Sequence, residues 1–149
     1  MQEITPQAHD LLERTNRQFN ECNALYHTVA QRCGLSDASF WLLYALCTAD
    51  EPLTQNRIAA DWALPKQTLN SAVAAMVKKG LVELFPGKGA HSGKLVTLTD
   101  EGRALAARTV EPVILAEQRA IVGMEAEMQQ FYEIGQRHME RLRAKFEKL

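Results

Sequence analysis

The sequence predicts a mainly α-helical fold with a small β-hairpin wing. Three observations point there. Apolar residues recur every three or four positions over most of the chain. The period switches to two only at residues 81–85 and 94–98, the signature of strands. Between those stretches, Pro86, Gly87, Gly89 and Gly93 fall within eight residues, the composition of a hairpin tip.

Thr5-Pro6 is a helix start, a capping hydroxyl followed by a proline in the first turn. Ala8, Leu11, Thr15, Phe19, Cys22, Tyr26, Val29 and Cys33 then form one face of a helix about seven turns long, closed by Gly34. Ser36 and Asp37 cap a second helix, Ala38 to about Ala49, which is apolar on nearly all sides and is expected to be central. Glu51-Pro52 breaks it, and Leu53 falls on a very short strand. Thr54 caps a third helix through Asp61, with Ile58 and Trp62 inward. The turn Ala63-Leu64-Pro65 leads into a fourth, Lys66 to Lys79, whose inner face is Leu69, Ala72, Val73 and Met76. After the hairpin, Thr99 caps a fifth helix carrying Asp100 and Glu101 in its first turn, where the helix dipole favours acids. Its apolar face is expected at Leu105, Thr109, Val113, Ala116 and Ala120, with a bend at Pro112. The chain turns near Gly123, and Met124, Met128, Phe131, Gly135, Met139, Leu142 and Phe146 line a last helix.

Composition narrows the function. With 149 residues and 46% apolar content the chain suits one packed domain. The N-terminus lacks a basic segment followed by an apolar stretch, so no secretory signal is expected, and no run approaches a membrane span. Three cysteines without C-x-x-C spacing argue against a disulfide framework and fit a reducing cytoplasm. His9, His27, His91 and His138 are scattered, so no metal site is expected, and no cofactor motif is present. No Gly-x-Ser-x-Gly, Walker loop or carboxylate pair suggests an enzyme. The net charge is −1, but from Thr54 to Arg108 eight basic residues accompany four acids, while the remainder is acidic. A basic middle between acidic arms suits a nucleic-acid partner.

Two helices joined by a short turn and followed by a glycine-tipped hairpin make a winged helix-turn-helix, at about residues 36–99. An exposed helix about 10–12 Å across matches the major groove of B-DNA. The fourth helix has the apolar back such a helix needs and a polar front: Pro65 presets its first turn, and Lys66, Gln67, Thr68, Asn70 and Ser71 follow at its N-terminal end. Gln and Asn can pair bidentately with adenine, and Thr and Ser reach bases or phosphates. Thr54, Gln55, Lys88 and Lys94 are candidate phosphate contacts.

Several segments in order carry a resemblance: Leu53-Thr54-Gln55, then Leu64-Pro65-Lys66-Gln67-Thr68-Leu69-Asn70-Ser71, then Lys78-Lys79-Gly80-Leu81-Val82-Glu83, then Val96-Thr97-Leu98-Thr99-Asp100-Glu101-Gly102. Their text and spacing resemble the MarR family of winged helix-turn-helix transcriptional regulators, over the whole length. The resemblance implies a single domain, residues 1–149, with helical dimerisation regions at about 5–34 and 100–149. It implies a bacterial, cytoplasmic homodimer that represses by binding a pseudo-palindromic DNA site. Two departures stand out. The wing of the family carries an Asp-Arg pair near its tip, whereas this tip reads Lys88-Gly89-Ala90-His91-Ser92-Gly93-Lys94; and the family's recognition helix often has an arginine where this chain has Ser71 or Ala75. Lys88 or Lys94 can take over a phosphate contact but lacks the guanidinium fork, and the two missing arginines imply fewer neutralised phosphates, hence weaker binding with a shallower salt dependence.

Members of the family respond to a small aromatic effector bound between the dimer arms and the winged core. The candidate lining is Tyr26, His27, Trp41, Tyr44 and Cys47; the alternative is that Trp41 and Tyr44 are plain core aromatics. Cys22-Asn23-Ala24-Leu25-Tyr26 resembles the reactive-cysteine segment of the family's organic-hydroperoxide sensors, which makes Cys22 a redox candidate. Asp37 stands where those sensors have a tyrosine, and a cysteine on a helix stripe can equally be inert. Alternatives to an effector-released repressor are therefore a thiol-based peroxide sensor and a winged helix used only as a protein–protein adaptor.

Overall fold

The computed structural model describes residues 4–88 and 93–149. Its elements follow the sequence order closely: α1 (Pro6–Arg32), α2 (Asp37–Thr48), β1 (Leu53–Thr54), α3 (Gln55–Asp61), α4 (Lys66–Lys78), β2 (Val82–Phe85), β3 (Leu95–Leu98), α5 (Asp100–Ile121) and α6 (Glu125–Phe146). No helix among the described residues is long and apolar enough to cross a membrane. The chain divides into two compact units, one up to Glu111 and one from Pro112 to Leu149.

In the first unit the helix ends obey local chemistry. The Thr5 hydroxyl accepts the Ala8 amide at 3.1 Å to start α1, and Gly34 closes the helix at φ +68°, which costs glycine little. The Ser36 hydroxyl accepts the Ser39 amide at 3.2 Å to start α2, and the Thr54 hydroxyl accepts the Arg57 amide at 3.2 Å to start α3. The turn between α3 and α4 places Ala63 at φ +48°, a left-handed residue that reverses the chain between the two helices.

The strands form one antiparallel sheet of order β1-β3-β2. Val82 pairs with Leu98 and Phe85 with Leu95 in the wing, and Leu53 pairs with Val96. Alternation along the wing strands buries Val82 and Val96, so the hairpin is seated on the helices by one side chain per strand.

The core is built around α2. Phe40, Leu42 and Leu43 are fully buried, against Ile58 of α3 and Leu69, Val73 and Met76 of α4. The inner face of α4 is Leu69, Ala72, Val73 and Met76, as the spacing of apolar residues predicts.

Helix α5 departs from expectation. Its buried residues are Gly102, Ala106, Thr109 and Val110; of the predicted face only Thr109 is buried, Leu105 and Val113 are half-buried, and Ala116 and Ala120 are exposed. The face is rotated because the closest approach is made by the smallest residues. Gly102 lies against the Leu81 carbonyl, a contact that a hydrophobicity pattern does not register. Thr109 satisfies its hydroxyl within the helix, donating to the Leu105 carbonyl at 2.7 Å.

The second unit holds the last part of α5, from Pro112 on, and α6. Gly123, at φ +86°, turns the chain between them. No residue of α6 is buried: Met128, Gly135 and Leu142 are half-buried, while Phe131, Ile134, Met139 and Phe146 are exposed.

Candidate nucleic-acid interface

Helix α4 is anchored by its apolar back and presents its front. Pro65, Lys66, Gln67, Thr68, Asn70 and Ser71 are all exposed, while Leu69 between them is fully buried. The Ser71 hydroxyl donates to the Gln67 carbonyl at 3.0 Å, a bond that uses its proton and leaves its acceptor capacity. Ala74 and Ala75 are exposed and small, so the helix surface is low beyond the polar turn. Thr54 and Gln55 are half-buried at the start of α3, and the Thr54 oxygen is engaged as a cap. Lys88 and Lys94 are exposed on the two arms of the wing; the tip between them, with His91, lies outside the described residues.

Sequence reasoning missed one wall of this surface. An open groove of about 740 Å³ runs beside α4, lined on one side by Pro65, Gln67, Thr68 and Ser71 and on the other by Ser36, Asp37 and Ser39 at the start of α2. The two walls are about thirty positions apart in the chain, and no periodicity links them. In the sequence, Ser36 and Asp37 carry only a capping signal.

The predicted effector residues do not stay together. Tyr26, Trp41 and Tyr44 do meet: ring centroids lie 4.8 Å apart for Tyr26–Trp41 and 5.4 Å for Trp41–Tyr44. Two rings that the effector prediction left out complete the cluster. Phe40 packs edge-on to Trp41 at 5.3 Å, and Trp62 stacks on Trp41 at 5.4 Å. Trp62 ends α3, so the cluster fastens the helix-turn-helix to α1 and α2. His27 is exposed instead, its Nδ1 2.9 Å from each carboxylate oxygen of Asp37. Cys47 is half-buried and none of the aromatic contacts involves it; burial pushes its thiol pKa up, and the nearby Glu111 carboxylate adds to the shift. That environment disfavours the thiolate. Cys22 is exposed on α1, as a redox site requires.

An apolar-backed helix with a polar front, preceded by a short helix and a tight turn and followed by a two-stranded wing, defines a winged helix-turn-helix protein. The comparisons carry this further. The MarR family model matches residues 34–89, which span α2, α3, α4 and the first strand of the wing. A MarR family regulator from Neisseria meningitidis superposes with a TM-score of 0.75 at 25% identity, over 97% of this chain and 100% of that one. A MarR/EmrR family regulator from Acinetobacter gives 0.69 at 19% identity, over 98% and 100%. The Staphylococcus aureus MarR protein, solved with salicylate and kanamycin, gives 0.67 at 15% identity, over 92% and 93%. No curated protein matches the chain in sequence. Residues 34–89 thus match the MarR family, and the chain as a whole has the winged helix-turn-helix fold of MarR family regulators.

Proposed function

We propose that this protein is a MarR-type transcriptional repressor that binds a pseudo-palindromic DNA site as a homodimer and is released by a small aromatic effector. The observation that carries DNA binding is the division of α4 into a buried back and an exposed front of hydrogen-bonding side chains at its N-terminal end. Gln67 and Asn70 read bases; Lys66, Thr68, Ser71, Lys88 and Lys94 hold phosphates. Thr54 and Gln55, half-buried, contribute at the edge.

The test is anisotropy titration at low salt on the DNA flanking the protein's own gene. Each bidentate base contact is worth about 1–3 kcal/mol, so Gln67→Ala with Asn70→Ala is expected to weaken binding by roughly 100-fold. Unchanged affinity in the double variant would remove base reading by Gln67 and Asn70, and no binding by the wild type would leave a protein–protein adaptor as the better account.

Dimerisation rests on uncovered apolar side chains. Leu11, Phe19 and Leu25 of α1, and Phe131, Ile134, Met139 and Phe146 of α6, are each about half exposed or more. Long exposed apolar stripes are costly in water and are normally covered by a partner. Two-fold pairing would set two recognition helices about 34 Å apart, one turn of DNA. Light scattering at micromolar concentration is expected to give twice the chain mass of 16.7 kDa; a monomer would remove both the dimer and the palindrome.

The salicylate-bound Staphylococcus aureus relative supports an aromatic effector. Of the residues named for it, Tyr26, Trp41 and Tyr44 lie together in one cluster, whose half-buried edges offer stacking surfaces.

A further inference from the structure

Asp37 has a place in the fold that the function described so far leaves unused. It forms part of the groove wall opposite Gln67, Thr68 and Ser71, and it is the one ionisable group lining that groove among the described residues. A carboxylate there opposes a polyanion: a like charge at contact distance from a phosphate costs roughly fivefold in affinity even when fully hydrated. The same carboxylate faces His27, whose Nδ1 lies 2.9 Å from both of its oxygens.

We propose that the His27–Asp37 pair belongs to the DNA-binding face and sets its affinity by charge. The proposal rests on the DNA-binding reading above and adds two contributors to it. With His27 neutral, the pair presents a net negative charge to the groove. With His27 protonated, it is an ion pair of zero net charge, and its imidazolium adds a cation close to the phosphates. Binding of DNA therefore draws a proton onto the pair, and affinity rises as pH falls.

Among the described residues, the ion pair that His27 forms is with Asp37. On α1, the residues one turn from His27 are Asn23, Ala24, Ala30 and Gln31, none of them ionisable. From α2, the charged group facing it is Asp37, flanked by Ser36 and Ala38. Both members of the pair are about half exposed, so it adds little to folding, and variants are expected to keep the wild-type melting temperature to within a few degrees. Because His27 sits near the end of α1, the pair also brings that helix to the edge of the DNA-binding groove.

The experiment is anisotropy titration of the full chain on the same DNA, at low salt, between about pH 8 and 5.5, a range in which an imidazole can change charge. Wild type is expected to tighten by roughly fivefold on acidification. Asp37→Asn is expected to bind at pH 8 about as tightly as wild type does at pH 5.5. His27→Gln, which keeps a donor toward Asp37 but cannot be protonated, is expected to stay at the weaker level throughout. The other histidines are unchanged in every variant, so the difference from wild type belongs to the pair. DNA binding with the same pH profile in all three proteins would overturn the proposal and leave the DNA-binding reading intact. No binding by any of them at any pH would overturn both.

Discussion

Replacing Gly102 by alanine is expected to destabilise the protein by about 3 kcal/mol and to lower its melting temperature by roughly 6–12 °C. In an ordinary helix this change stabilises, because alanine is favoured over glycine by about 1 kcal/mol. Here the added Cβ would fall 1.9 Å from the backbone oxygen of Leu81 and 3.2 Å from Cδ2 of Leu98. The oxygen cannot retreat cheaply. It accepts the Thr99 amide at 3.1 Å, while the Thr99 hydroxyl donates to the Gly80 carbonyl at 2.6 Å and accepts the Gly102 amide at 3.0 Å. Gly80 and Leu81 are in turn bonded to the last turn of α4, through Val77 and Met76. The first turn of α5 is thus tied to the C-terminal end of α4, and a methyl group at position 102 has to pry that junction apart. Thermal denaturation decides the sign. A melting temperature equal to or above wild type would mean that the close approach does not exist.

The same junction explains what the sequence could and could not reveal. The inner face of α4 is legible because its four buried residues are apolar and spaced at helical intervals, so hydropathy and burial coincide. The α5 face is misread because burial there follows steric fit: Gly102 and Ala106 are buried for their small size, whereas Ala116 and Ala120 have the right period but are exposed. The caps Thr5, Ser36, Thr54 and Thr99 are local features, each hydroxyl lying three residues before the amide it meets, and they are readable without tertiary knowledge. The partnership of His27 with Asp37 is not. It joins the end of one helix to the start of the next across Gly34, and its geometry depends on how the chain reverses there. For the same reason, the sequence does not reveal that His27 turns to Asp37 while its neighbour Tyr26 joins the aromatic cluster; adjacent residues of a helix point about 100° apart.

Phe40→Ala is expected to cost about 3–5 kcal/mol. Phe40 is fully buried, and its ring centroid lies 6.4 Å from that of Tyr26, 5.3 Å from that of Trp41 and 6.2 Å from that of Tyr44. Its neighbours belong to two helices that are held at their ends and cannot simply close over the gap, so the cavity term adds to the lost transfer energy. A domain of this kind has about 5–15 kcal/mol in total, so the variant would sit near the edge of folding. Urea denaturation followed by tryptophan fluorescence is the appropriate measurement, because Trp41 and Trp62 are the only two tryptophans and stack on each other within the cluster. The outcome also bears on the proposed effector. A loss of several kcal/mol means that the five rings form a packed core, with only their outer edges available to a bound aromatic compound. A loss below about 1 kcal/mol would mean that the rings are loosely held and that the cluster itself has room to admit one. In that case a benzene-sized compound should raise the melting temperature of wild type as well as of the variant. With a packed cluster, it should stabilise Phe40→Ala alone, by filling the space the ring has left.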